Sequence, residues 1–226
     1  MHSYEIEIKV LLWDEAKKNQ FMASLRESFP EFSHEYSESQ LNHYFQWGSL
    51  EVFLPLFSSY IDDTQKQRLQ NIADTAKSFS VRTRWTKEQT IIVVKATVNN
   101  ETSSNGTARI EWEVDLFPMT LDEMDRKLLS VGFEYQAKWS RARESYKLNK
   151  NTILCIDKNA GYWYLAEFER VIDDENLIDS TRSELLNMID TLGYNELNQE
   201  RLARMFDFYN KNWSEYYGTE KVFTLE

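Results

Sequence analysis

The chain has 226 residues, 26 Lys and Arg against 37 Asp and Glu for a formal charge of −11, with 42% hydrophobic and 14% aromatic residues. That length can bury a sizeable core in one large domain, and the apolar content is that of a globular chain rather than a disordered one. The negative charge argues against unspecific attraction to nucleic acid or anionic lipid, while leaving room for a local basic cavity.

Cys155 is the single cysteine and cannot form an intrachain disulfide; it falls in an apolar run from Ile153 to Ile156, where a small buried side chain is its expected role. A reducing, cytoplasmic setting is the default expectation. The N-terminal stretch lacks the basic segment, apolar core and cleavage site of a secretory signal, and no stretch is apolar for long enough to cross a bilayer. His2, His34 and His43 show no zinc spacing, and neither a phosphate-binding Gly-rich loop nor a dinucleotide fingerprint is present.

In chain order, Glu5-Ile6-Glu7-Ile8-Lys9 alternates as a strand, with Glu5, Glu7 and Lys9 on one face and Tyr4, Ile6, Ile8 and Val10 on the other. Asp14 can cap a helix to about Ser28, which Pro30 ends. A second strand is expected over Leu41–Trp47. Residues 50–77 are too long for a hairpin connection and read as an insertion with a helix from Asp63. Strands follow over Ser78–Trp85, Thr90–Val98 and Ala108–Phe117, with a polar loop at Asn99–Gly106. Thr120 can cap a helix over Leu121–Val131 that Gly132 ends. Three more strands are expected over Phe133–Leu148, Thr152–Asp157 and Tyr162–Val171, then helices over Asp173–Leu192 and Asn195–Tyr209. The tail from Trp213 shows no clear pattern. The fold expectation is therefore α+β, one domain built on eight mostly antiparallel strands that close into a barrel with helices outside, or an open, strongly bent sheet covered by helices.

The charged face of the first strand returns in the later ones. Arg82 and Arg84 share a face, Lys95 stands opposite Ile92, Val94 and Ala96, and Arg109, Glu111 and Glu113 stand opposite Ile110, Trp112 and Val114. Arg141 and Arg143 share a face in the same way, Glu167 and Glu169 stand opposite Ala166 and Phe168, and Asp157 ends its strand. A sheet with one side in solvent would explain the alternation. It explains less well why arginines gather on some strands and carboxylates on others, since Arg is favoured where anions are bound through several donors. A closed barrel would turn these charges into a wet lumen suited to a polyanion and a divalent cation.

These residues, in this order, resemble the CYTH family, the triphosphate tunnel metalloenzymes. The Glu-x-Glu-x-Lys signature stands as Glu5, Glu7 and Lys9; Arg-x-Arg as Arg82 and Arg84; the next strand's lysine as Lys95; and Arg-x-Glu-x-Glu as Arg109, Glu111 and Glu113. Lys-x-Arg-x-x-Tyr is met by Arg141, Arg143 and Tyr146 with arginine in the first place, and the late Asp, Gly and Glu-x-Glu by Asp157, Gly161, Glu167 and Glu169. The likeness spans residues 4–171. It departs from the pattern at Asn42-His43-Tyr44-Phe45, where the usual acid of Asp-x-Tyr-Phe is missing, in a longer stretch between Gly161 and the final acids, in the extra segment from Trp47 to Phe79, and in a vague C-terminal Ser-Tyr element near Phe208 and Tyr209.

The resemblance implies an eight-stranded antiparallel tunnel that binds a triphosphate and works with Mg²⁺ or Mn²⁺. Lys9, Arg82, Arg84, Lys95, Arg109, Arg141 and Arg143 would supply cationic donors to phosphate oxygens, and Glu5, Glu7, Glu111, Glu113, Asp157, Glu167 and Glu169 oxygen ligands to the metal. Glu5 and Glu7 would help hold a metal and water, and Lys9 would orient the terminal phosphate or assist proton transfer. The leading expectation is a hydrolase of inorganic tripolyphosphate or an organic triphosphate. The alternatives are a class IV adenylyl cyclase forming cyclic AMP and pyrophosphate from ATP, and a non-catalytic polyphosphate or nucleotide binding module. The aromatic segment with Phe206, Phe208, Tyr209, Trp213, Tyr216 and Tyr217 either forms a homodimer surface or, as is commoner, packs back over the barrel.

Overall fold

The computed structural model describes residues 4–97 and 109–225. The elements run β1 (Tyr4–Trp13), α1 (Glu15–Ser28), β2 (Ser33–Gln46), α2 (Leu50–Phe57), α3 (Asp63–Thr75), β3 (Ser78–Trp85), β4 (Thr90–Thr97), β5 (Arg109–Asp115), α4 (Leu121–Ser130), β6 (Glu134–Lys147), β7 (Ile153–Asn159), β8 (Trp163–Ile172), α5 (Ile178–Thr191) and α6 (Gln199–Tyr216). The strands are antiparallel and their hydrogen-bonded order, β1-β5-β4-β3-β2-β6-β7-β8, closes into a barrel. This is the closed α+β architecture rather than the open sheet. The expected loop at Asn99–Gly106, together with Val98 and Ala108, lies outside the described residues.

The chain divides into two compact units, one of residues 4–39 and 140–225 and one of residues 40–97 and 109–139. In the first unit β1 pairs with β8, β8 with β7 and β7 with β6. Ile6, Ile8, Val10 and Leu12 alternate along β1 and are all but fully buried, and β1 packs beneath α1 and α5. The Asp14 carboxylate accepts from the Lys17 amide at 2.8 Å to start α1, whose Phe21 meets Phe168 and Tyr194 edge-on. Burial of such side chains is worth about 1.5–3 kcal/mol each, so this apolar side of the sheet is the principal stabilising layer of the unit.

In the second unit β2 pairs with β3, β3 with β4 and β4 with β5. Trp112 on β5 is fully buried against Phe53 of α2 and donates its indole N–H to the Gln65 carbonyl of α3 at 3.2 Å. Thr120 and Glu123 cap α4 reciprocally, each side chain bonding the other's backbone amide. Asp125 of α4 is 2% exposed and accepts from Thr83 and Tyr135, each at 2.7 Å, and pairs with His43 Nδ1 at 2.6 Å. This polar knot ties α4 to β2, β3 and β6 within the apolar layer.

Several boundaries differ from the sequence expectation. β2 starts at Ser33 rather than Leu41, because its first half is exposed and too polar to show a strand pattern. The insertion holds two helices instead of one; Ser49 caps the first of them, as Asp62 caps the second. α5 begins after a short 3₁₀ turn at Glu175–Leu177, and α6 begins after Asn198, whose side chain caps it, and runs past Tyr209 to Tyr216. The tail then returns: Val222 bridges to Gly161, and Phe223 stacks on Phe208 at 4.6 Å. Gly161 has φ of 94°, and a Cβ there would meet the Tyr209 ring at 2.7 Å, so both backbone and packing require glycine. Tyr209 is fully buried. The aromatic C-terminal segment thus packs back on its own unit.

Candidate functional site

Strand register sets the charged face of the first unit. Glu7 lies opposite Glu169 and Lys9 opposite Glu167 on β1 and β8, while Arg143 lies opposite Asp157 on β6 and β7. The Lys9 ammonium sits between Glu7 at 2.9 Å and Glu167 at 3.2 Å. Asp157, with no exposed surface, takes Arg141 at 2.6 Å and both ends of the Arg143 fork at 2.7 Å. Arg143 also reaches Glu167 at 2.5 Å. These short, charge-assisted contacts neutralise most of what they join. Burial opposes charge on both Arg143 and Glu167, yet Asp157 and Glu167 hold Arg143 firmly protonated, and Lys9, Arg143 and Arg141 hold Glu167 well below the usual carboxylate range.

Glu5, Glu7 and Glu169 form a different group. Each offers a carboxylate oxygen, and the three oxygens lie within 4.8 Å of one another. Burial, then repulsion from Glu5, Glu167 and Glu7 against the pull of Arg143, pushes the Glu169 pKa up to about 8. Crowded, half-buried carboxylates of this kind fit a hard divalent cation that prefers oxygen ligands. Cys155, expected within an apolar run, lies opposite both Glu167 and Ser145 on this charged side and is 1% exposed. Burial raises its thiol pKa, with Glu169 adding to the effect.

In the second unit, Asn42 and Tyr44 on β2 lie directly opposite Arg84 and Arg82 on β3, and Lys95 lies opposite Glu111 across β4 and β5. Arg84 Nε donates to Asn42 Oδ1 at 3.2 Å, and Arg82 donates to the Tyr44 hydroxyl at 3.0 Å. The carboxylates stand further off: Glu111 is 3.7 Å from Arg82 and 3.3 Å from Lys95, and Glu113 is 3.6 Å from Arg84. Arg82 is 7% exposed, and its Nε and Nη2 are buried with no hydrogen-bond partner among the described residues. Burial opposes the Arg82 charge, but Tyr44, Glu111 and Glu113 outweigh it and raise the pKa. Arg109 is the first residue of β5.

The structure therefore gathers Glu5, Glu7, Lys9, Arg141, Arg143, Asp157, Glu167 and Glu169 on one charged face of the first unit, and Arg82, Arg84, Lys95, Glu111 and Glu113 on one charged face of the second. Asn42 and Tyr44 as acceptors for the two arginines were missed from the sequence. Asn42 and Tyr44 alternate with His43 and so share a face, but only the cross-strand register names their partners.

The sequence matches no protein-family model and no curated protein sequence. Solved structures do match. The PH1819 protein of Pyrococcus horikoshii OT3 is 18% identical with a TM-score of 0.61, over 92% of this chain and 99% of that one. A proposed adenylate cyclase of Vibrio parahaemolyticus is 14% identical with a TM-score of 0.57, over 90% of this chain and 99% of that one. The Hippeastrum protein HpAC1, a proposed adenylyl cyclase described as having a dominant triphosphatase activity, is 15% identical with a TM-score of 0.51, over 90% and 96%. With the closed order of eight strands and the ordered charged motifs, the chain has the fold of the CYTH, or triphosphate tunnel, family.

Proposed function

We propose that the protein hydrolyses a triphosphate, inorganic tripolyphosphate or an organic triphosphate, with Mg²⁺ or Mn²⁺. The observation that carries this reading is the group of Glu5, Glu7 and Glu169 within 4.8 Å, next to the Lys9 ammonium held by Glu7. These three acids would hold the cation, which when bound neutralises phosphate charge and lowers the pKa of water. Asp157 and Glu167 act instead as counter-ions that fix Arg141, Arg143 and Lys9, and Glu111 and Glu113 as those that steady Lys95, Arg82 and Arg84. Lys9, as an ammonium, orients a terminal phosphate oxygen by donating to it. Arg82, Arg84 and Lys95 bind phosphate oxygens, in keeping with the rule that phosphoryl transfer is catalysed mainly by positioning and charge stabilisation.

Adenylyl cyclase activity is the second reading, favoured by the name of the Vibrio protein; the activity described for HpAC1 favours hydrolysis. Incubation with tripolyphosphate, thiamine triphosphate and ATP, each with Mg²⁺ or Mn²⁺, separates them. Orthophosphate release supports the hydrolase, cyclic AMP with pyrophosphate supports the cyclase, and binding without turnover under either metal supports a binding module. The partner expected is a small triphosphate. No helix among the described residues is long and apolar enough to cross a membrane.

A further inference from the structure

We propose that the connection between α5 and α6, residues 192–198, positions Lys9 for its contact with phosphate, and that it does so through the backbone amide of Leu197. The inference rests on the role of Lys9 in the triphosphate reading and adds a positioning residue that lies outside the charged strands.

Lys9 is held at two points. Its ammonium sits between Glu7 at 2.9 Å and Glu167 at 3.2 Å, and its backbone carbonyl accepts from the Leu197 amide at 2.7 Å. Lys9 and Leu197 are each 6% exposed, so this short bond lies out of bulk water. Strand carbonyls ordinarily accept from a neighbouring strand; at Lys9 the donor is a loop residue.

Connections of this kind are usually the more mobile parts of a fold, yet this one is fixed along its length. Gly193 takes φ of 79° to end α5, Tyr194 meets Phe21 of α1 edge-on at 5.1 Å, and both carboxylate oxygens of Glu196 accept from Arg182 of α5, at 2.7 and 2.9 Å. Asn198 caps α6 by accepting from the Arg201 amide at 3.1 Å, and the Arg201 guanidinium lies 4.3 Å from the centre of the Trp13 ring at the end of β1. Contacts on both sides of Leu197 in the sequence thus hold its amide against β1. A lysine carries its charge on a flexible four-carbon stem, so the ammonium is placed only as well as the backbone beneath it. Misplacing a catalytic group by about 1 Å costs up to roughly a hundredfold in rate. The bond is made by backbone atoms at both ends, which is why no side-chain pattern in the sequence announces it.

The test is steady-state phosphate release from tripolyphosphate by the full chain with Mg²⁺ or Mn²⁺. Leu197→Ala loses the side chain and keeps the amide; Leu197→Pro loses both. The kcat of Leu197→Pro should lie on the order of tenfold or more below that of Leu197→Ala, with KM values within about threefold of each other. In a Lys9→Ala background the same two substitutions should differ by less than about twofold in the residual rate, because the group being positioned is gone. A merely structural role would open the same gap in both backgrounds. A second measurement needs no variant: hydrogen exchange at the Leu197 amide should slow by roughly threefold or more when tripolyphosphate engages Lys9. Equal kcat in Leu197→Pro and Leu197→Ala, or an equal gap with and without Lys9, overturns the inference, and normal turnover by the unaltered chain then leaves the hydrolase reading standing. Should Leu197→Pro fail to fold, the exchange measurement decides alone, and an unchanged rate overturns the inference. No phosphate release by the unaltered chain under either metal overturns the hydrolase reading and this inference with it.

Discussion

The two charged faces are built from the same residue types and hold them in opposite ways. In the first unit Arg141 and Arg143 are locked onto Asp157 by contacts of 2.6–2.7 Å, and Glu167 closes the cluster. In the second, Arg82 and Arg84 rest on a hydroxyl and an amide, with carboxylates at 3.6–3.7 Å. A buried cation in close contact with its anion contributes order, and the looser pairing of the second unit constrains its arginines less tightly. The first unit carries five carboxylates, on Glu5, Glu7, Asp157, Glu167 and Glu169, against Lys9, Arg141 and Arg143, and three of those acids lie close enough together to be the proposed cation site.

The sharpest way to break this contrast is to remove one member of the acid trio. Glu7→Ala or Glu169→Ala should abolish metal-dependent phosphate release, by on the order of a thousandfold or more, while circular dichroism stays native, because neither acid supports the apolar layer. Next in size is Asp157→Ala, which removes the shared acceptor of the buried Arg143 and the half-buried Arg141. It should destabilise the protein by about 3–5 kcal/mol in urea unfolding. The matching change in the second unit, Arg82→Met, should cost less than about 1 kcal/mol of stability because few of its donors are satisfied, yet weaken tripolyphosphate binding at least tenfold. Equal stability losses in these two variants would erase the distinction between a locked and an open cation.

A separate effect probes the apolar layer behind Arg82 and Arg84. Asp125→Ala leaves the donors of Thr83 and Tyr135 without their acceptor and should cost about 2–4 kcal/mol. Burial raises the Asp125 pKa, but hydrogen bonds from His43 and Tyr135 reverse the sign and leave it lowered. A carboxyl depressed in the folded state stabilises above the unfolded value of about 3.9, and that contribution fades as pH falls through the lower folded value. Stability measured between pH 5 and pH 2 should therefore fall less steeply in Asp125→Asn than in the unaltered protein. Parallel slopes would remove Asp125 from the account of acid sensitivity.

Strand parity is a local property, and it was legible. Ile6, Ile8 and Val10 against Glu5, Glu7 and Lys9 gave both faces of β1, and Asp14, Thr120 and Gly161 marked turns and caps through their own chemistry. Cross-strand register is not local. Nothing near Asp157 in sequence says that it faces Arg143, so the division of the acids into a trio that can hold a metal and counter-ions for arginine emerged only from the pairing. The same holds for Asn42, which in sequence read as a missing acid and in the structure is a neutral acceptor for Arg84. The first half of β2 was hidden for a different reason: Ser33 to Ser39 are nearly all exposed, and a strand with no buried face leaves no periodic signal.

The most direct measurement of the central claim is the time course of orthophosphate release from tripolyphosphate by the purified chain with Mg²⁺ or Mn²⁺, repeated in EDTA and with Glu169→Ala. The account predicts release that requires the divalent cation and disappears in the variant. Release that persists in EDTA, or that Glu169→Ala leaves unchanged, would contradict it.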